Sequence, residues 1–261
     1  MAAFLGSARQ WELFGRRLRA LQRKYGFKTL HAKDFRAQRG EFNGWSIPKC
    51  RELAEALANA IRDNLTEGVT SLLPRAPYEA DYLAPPFPKG MPRDSQYGLC
   101  FRMCLYRLVQ IVTADKKRHR LHVVIEDGHK NVNNTLRIFD EVKAEMRKMG
   151  HDVLGTITIA KKAECDLLMV ADFQAHLISI SQGLLKRGQP GYFEIAGDPS
   201  LAARNPIKDN EAALTQLEFT PESLRKIKTD WQQDKDDRIA KWREARDARR
   251  AAASSSKEQP S

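Results

Sequence analysis

Apolar residues recur at intervals of three and four along several stretches of the chain, and each such stretch predicts a helix. Trp11, Phe14, Leu18, Leu21 and Tyr25 form one stripe, with Ser7 placed to cap its start and Gly26 to stop it. Cys50, Leu53, Ala54, Leu57 and Ile61 form a second, behind Ser46 and Pro48. Proline suits a first helical turn, where its missing N–H costs nothing. Asp94 precedes a strongly apolar helix from about Tyr97 to Thr113. An amphipathic helix spans Asn134 to Met149 and ends at Gly150, and Asp166 is placed to cap another from about Leu167 to Lys186.

Between these helices the period changes. Leu121–Ile125 is a continuous apolar run, the pattern of a strand buried on both faces. Val153–Ala160 is rich in β-formers, and Tyr192–Ile195 reads as a short strand. Six prolines, from Pro74 to Pro92, predict a loop there, with Tyr78, Tyr82 and Phe87 available to pack it down. Thr220-Pro221-Glu222 opens a last helix to about Ala253, charged nearly all round, and the tail SSSKEQPS reads as disordered. Strands alternating with crossover-length helices predict an α/β domain around one sheet, short of strands because the first sixty residues read as helical. The expected organisation is an α/β domain over 1–200 with the loop 73–95 as an insertion, a C-terminal extension over 201–253, and a disordered tail over 254–261.

Charge sharpens this picture. Lys and Arg outnumber Asp and Glu by 44 to 33, a net charge of +11, which favours an anionic partner with nucleic acid first. No secretory signal pattern opens the chain, and no run of 18 apolar residues predicts a membrane span, so a cytoplasmic protein is expected. The four cysteines lie in apolar segments and lack a second pair at ligand spacing, which predicts reduced core thiols and no zinc site.

Three polar clusters sit at the ends of predicted elements. In RLHVVIEDGHKN, residues 120–131, the strand runs straight into Glu126 and Asp127. Taken alone, that is an ordinary strand exit, where Asp and Gly favour the turn. Asp172 lies inside an apolar helix, and a carboxylate there must be paired or bound to a cation. His176, four residues on, is one candidate partner, and a metal ion is the other. His31, Lys33 and Asp34 follow a short extended segment, with Phe35, Phe42 and Trp45 to pack it. If these clusters converge on Mg²⁺ or Mn²⁺, they make a site for phosphodiester hydrolysis; hard cations take oxygen ligands, so the carboxylates matter and the cysteines do not.

Read in order, W-x-x-F, HAKDF, F-x-G-W, VVIEDGHKN and CDLLMVADFQAH resemble the family catalogued as domain of unknown function 3800, over roughly residues 5–180. The resemblance implies a ribonuclease-H-like mixed sheet flanked by helices. It implies that Glu126 and Asp172 are metal ligands for Mg²⁺ or Mn²⁺, and that Asp34 and His31 match the family's His-x-x-Asp segment. On that pattern Asp127 and Asp34 assist the metal site, and His31 or Lys33 contacts phosphate or moves a proton. The family's opening strand, carrying Asp-Glu-Ser-Gly, has no counterpart ahead of MAAFLGSARQW. The resemblance therefore implies either an N-terminal truncation or a lost ligand. The expected function is a metal-dependent nuclease or phosphodiesterase. The alternatives are a catalytically inactive nucleic-acid-binding module and an interaction protein.

Overall fold

The computed structural model describes residues 1–114, 119–185 and 215–255. Among them the chain is mixed α/β and divides into two compact units, Met1–Leu72 with Asp94–Glu218, and Leu73–Arg93 with Phe219–Ser261.

The first unit opens with β1, Ala2–Leu5, followed by α1, Ala8–Tyr25. Ser7 caps α1 as its spacing predicts. Gln10 N–H donates to Ser7 Oγ at 3.3 Å, and Ser7 N–H donates to Gln10 Oε1 at 2.8 Å, a reciprocal capping box. Gly26 stops the helix at φ 77°, a left-handed conformation that glycine adopts without strain. The short α2, Ala32–Ala37, leads through a 3₁₀ turn to α3, Ile47–Asn64, where Lys49 N–H donates to Ser46 Oγ. Then come β2, Glu67–Leu72; α4, Gln96–Ala114; β3, Leu121–Glu126; α5, Val132–Lys148; β4, Leu154–Ala160; α6, Leu168–Leu185; and β5, Thr215–Glu218.

Among the described residues the expected single sheet is two. β2 lies between β1, antiparallel with Ala3 opposite Val69, and β5, parallel with Thr70 opposite Gln216. β3 and β4 form a separate parallel pair, with Glu126 opposite Ala160. Nor is β3 buried on both faces. Leu121 and Ile125 turn inward, whereas His122 is exposed and Val124 is 47% exposed. Side chains alternate across a strand, so the Val-Val-Ile run here reflects β-propensity and one-sided burial.

Two apolar clusters hold the unit together. Phe14, Leu18, Leu30, Phe35, Leu53 and Phe173 join α1, α2, α3 and α6. Phe101, Leu105, Ile125, Ile138, Phe139 and Leu154 join α4 and α5 to the β3–β4 pair. Each side chain removed this completely from water contributes about 2 kcal/mol. All four cysteines are free, and burial pushes the Cys104 thiol up to about 12, so it remains a neutral core group. Among the described residues, no helix is long and apolar enough to cross a membrane.

The second unit contains α7, Pro221–Ser255. The segment expected as plain loop carries a helical turn, Arg75–Pro77, and a π-helical turn, Tyr78–Leu83. Pro74 and Pro77 sit at its start, where proline needs no N–H partner, which is how a proline-rich stretch coils. Arg225 pairs with Asp81 at 2.6 Å, and the Lys228 and Lys235 ammonium groups donate to the Ala84 and Lys89 carbonyls. The loop expected as an insertion and the charged helix thus share one unit. The expected strand Tyr192–Ile195 lies outside the described residues.

Candidate functional site

Parallel pairing puts the carboxyl ends of β3 and β4 side by side, the position where α/β proteins gather ligands. The ladder continues one step past the strand, since Asp127 N–H donates to the Ala160 carbonyl at 2.9 Å. The turn after β4 closes on itself, with Glu164 and Cys165 N–H groups both donating to the Lys161 carbonyl. Lys162, two residues beyond Ala160, is thereby delivered next to Glu126. Its ammonium lies 3.1 Å from Glu126 Oε1 and 2.8 Å from Asp172 Oδ2.

Asp172 arrives from α6. Phe173 packs edge-on against Phe35 of α2 at 5.7 Å, and Leu30 N–H donates to Met169 Sδ. This packing brings Asp172 Oδ2 within 3.3 Å of the Ala32 N–H. Ala32 opens α2, and His31, its N-cap, makes no side-chain cap of its own. Asp172 thus accepts from an N–H that the helix leaves free. The His31 ring remains available, its Nδ1 3.4 Å from the Lys162 ammonium.

Three elements and one turn therefore converge on a single nitrogen. The Lys162 side chain is 7% exposed, whereas Glu126 and Asp172 are 41% and 33% exposed. The cation is buried and its two anions reach solvent. A buried ammonium is tolerated only with charge-balancing, hydrogen-bonded partners, and the two carboxylates supply them. Beside Glu126, Tyr97 stacks on exposed His129, ring centroids 3.8 Å apart. Burial, reinforced by the Glu126 charge, raises the Tyr97 phenol above its ordinary value. Burial and then Lys130 lower His129, against a smaller opposing pull from Glu126.

The residues singled out in the sequence fall in different places. Glu126, Asp172 and His31 meet at Lys162. Asp127 is exposed and its Oδ1 accepts from the Gly128 N–H at 2.7 Å, a local turn contact at a glycine with φ 90°. Asp34 is half-buried on α2; its backbone carbonyl accepts from the Arg39 N–H, and no hydrogen bond or ion pair of its side chain joins the cluster. Lys33 is exposed. The candidate Asp172–His176 hydrogen bond does not form, because Asp172 is engaged by Lys162 and Ala32. His176 Nε2 is buried without a hydrogen-bond partner, and burial, then Arg36, lowers its pKa against a smaller pull from Asp172. Among the described residues, no three His, Cys, Asp or Glu side chains are grouped to hold a metal ion by themselves.

Lys162 is what sequence reasoning missed. A lysine after a strand reads as a solvated charge, and only the β3–β4 register places it against Glu126. Comparison with known proteins adds no relative: no family model, no curated protein and no solved structure matches the chain.

Proposed function

We propose that the chain is a divalent-cation-dependent phosphodiester hydrolase acting on nucleic acid, with its site at the ends of β3 and β4. The observation that carries this reading is the meeting of Glu126 and Asp172, from a strand end and a helix interior, around one cationic group. Their chemistry fits a hard cation. Mg²⁺ takes one or two protein carboxylates and completes its shell with water and substrate oxygens, so a site with two carboxylates open to solvent has the donors it needs once Lys162 moves aside. Glu126 and Asp172 would hold the ion, which when bound lowers the pKa of water and neutralises charge on phosphate.

The chain's own residues supply the rest. His31, exposed at the start of α2, presents its ring for proton transfer at Nε2 while Nδ1 faces the cluster. Exposed Lys33, Lys130 and Lys161 each lie within a few residues of a site residue and suit a phosphate backbone, as does the net charge of +11. The family resemblance points the same way. The test is Mn²⁺- and Mg²⁺-dependent cleavage of single- and double-stranded DNA and RNA. Wild type is expected to cleave at least one of them, and Glu126→Gln or Asp172→Asn to lower the rate at least about 100-fold. Absence of cleavage across the panel overturns the proposal.

A second reading has its own observation. The Lys162 ammonium fills the space between the carboxylates, which favours a nucleic-acid-binding module without hydrolysis. That reading predicts binding that weakens steeply with salt, no cleavage, and no loss of affinity in Glu126→Gln.

A further inference from the structure

We propose that Lys162 is a built-in competitor for the cation: its ammonium and a divalent ion occupy the same position between Glu126 and Asp172, so that Lys162 sets how much metal the site takes. This rests on the hydrolase reading for its purpose and on the geometry alone for its chemistry. Three observations support it. First, the ammonium makes its contacts to the two carboxylates a cation would use, Asp172 at 2.8 Å and Glu126 at 3.1 Å, with the His31 ring nitrogen 3.4 Å away. Second, the balance of charge is incomplete, because one positive charge faces two carboxylates, whereas a divalent ion neutralises both. Third, the carboxylates are 41% and 33% exposed, so an ion arrives from solvent without opening the core.

Lysine suits this role. Its charge is compact and sits on a flexible four-carbon stem, so it leaves one set of acceptors by rotating about its own bonds. Arginine, with a rigid planar fork, holds two carboxylates more firmly. Displaced from the carboxylates, the ammonium becomes a donor for the phosphate of an incoming strand. Metal loading and anion binding are then coupled: each ligand relieves the state that opposes the other.

The experiment is a calorimetric titration of Mn²⁺, without nucleic acid, into wild type, Lys162→Met, Lys162→Gln and Lys162→Arg. A positive charge a few ångströms from a cation site opposes it by far more than tenfold at low dielectric, and solvent access reduces that effect, so removing it is expected to tighten Mn²⁺ binding at least about tenfold. Lys162→Arg keeps the charge and is expected to bind no tighter than wild type. Lys162→Met is also expected to melt below wild type without metal and to recover when Mn²⁺ is added. Lys162→Gln retains a donor for the carboxylates and carries the test if the methionine variant folds poorly. Equal or weaker Mn²⁺ binding in both Lys162→Met and Lys162→Gln overturns the proposal. Tighter binding without cleavage of any nucleic acid leaves this inference standing and removes the hydrolase reading. Cleavage with unchanged Mn²⁺ affinity does the reverse.

Discussion

At the start of α4, Asp94 and Glu141 each meet both Arg102 and Arg137; at the end of β3, Glu126 and Asp172 share a single ammonium. The first cluster is a closed ring of two cations and two anions. Asp94 is 3% exposed, and Arg102 reaches it at 2.7 Å and Glu141 at 2.6 Å. It ties the residues before α4 to α5, and its planar guanidinium forks satisfy both carboxylates. The second cluster has an excess of negative charge, a buried cation and solvent-facing anions. Closed charge balance in a buried setting marks a brace between helices. An unbalanced group at adjoining strand ends marks a place where something is expected to bind.

The largest way to break the contrast is Asp94→Ala. It leaves two partly buried guanidinium groups facing one carboxylate, and an expected loss of about 3–5 kcal/mol follows from removing one partner of a buried ion network. Urea denaturation checks this, and a loss below that of Asp172→Asn contradicts it. Gly98→Ala tests the same brace through packing. A Cβ at Gly98 meets Asn134 Oδ1 at 1.9 Å and Ile138 Cδ1 at 2.9 Å. Asn134 Oδ1 already accepts from Ser95, so this crossing of α4 and α5 has little room to give, and about 1–3 kcal/mol is expected to be lost.

Asp172→Asn is expected to cost only about 1–2 kcal/mol, because the amide oxygen still accepts from Ala32 N–H and Glu126 still faces Lys162. Its effect on cation binding is expected to be complete. The brace is therefore expected to show itself in stability and the second cluster in cation binding, read by melting and by Mn²⁺ titration on the same samples.

The smallest effect is in pH dependence. Burial lowers the His176 pKa from the ordinary 6.5, so the unfolded chain takes up this proton first as pH falls. The stability contributed by neutral His176 is fully present above 6.5 and is lost progressively below it, down to the lowered folded value. His176→Phe is expected to flatten that part of the acid limb in a series of melts between pH 7 and pH 5. An unchanged limb contradicts the assignment.

Much of the fold was legible where local chemistry decides it. Ser7, Gly26, Ser46 with Pro48 and Gly150 mark the helix ends they were expected to mark. The strands were harder. β1 is four residues, AAFL, too short to show alternation, and β2, EGVTSL, carries only two apolar side chains, Val69 and Leu72. Their pairing comes from tertiary contact, as does the division into two sheets. The site was legible in part. A carboxylate inside an apolar helix must be compensated, so Asp172 stood out; Glu126, taken alone an ordinary strand exit, was singled out only by the family resemblance. The compensating group did not. Lys162 is buried only because two parallel strands end together, and no periodicity in AKKAECD signals that. Asp127 and Asp34 look equivalent to Glu126 in the sequence; one is drawn off by a turn and the other stays on the α2 surface.

The most direct test of the central claim, that Glu126 and Asp172 act as one site, is a double-mutant cycle read by Mn²⁺-induced thermal stabilisation of wild type, Glu126→Gln, Asp172→Asn and the double variant. Two ligands of one ion fail together, so each single variant is expected to lose the stabilisation as completely as the double. Partial losses that add, or a double variant that Mn²⁺ stabilises as much as wild type, contradict the account.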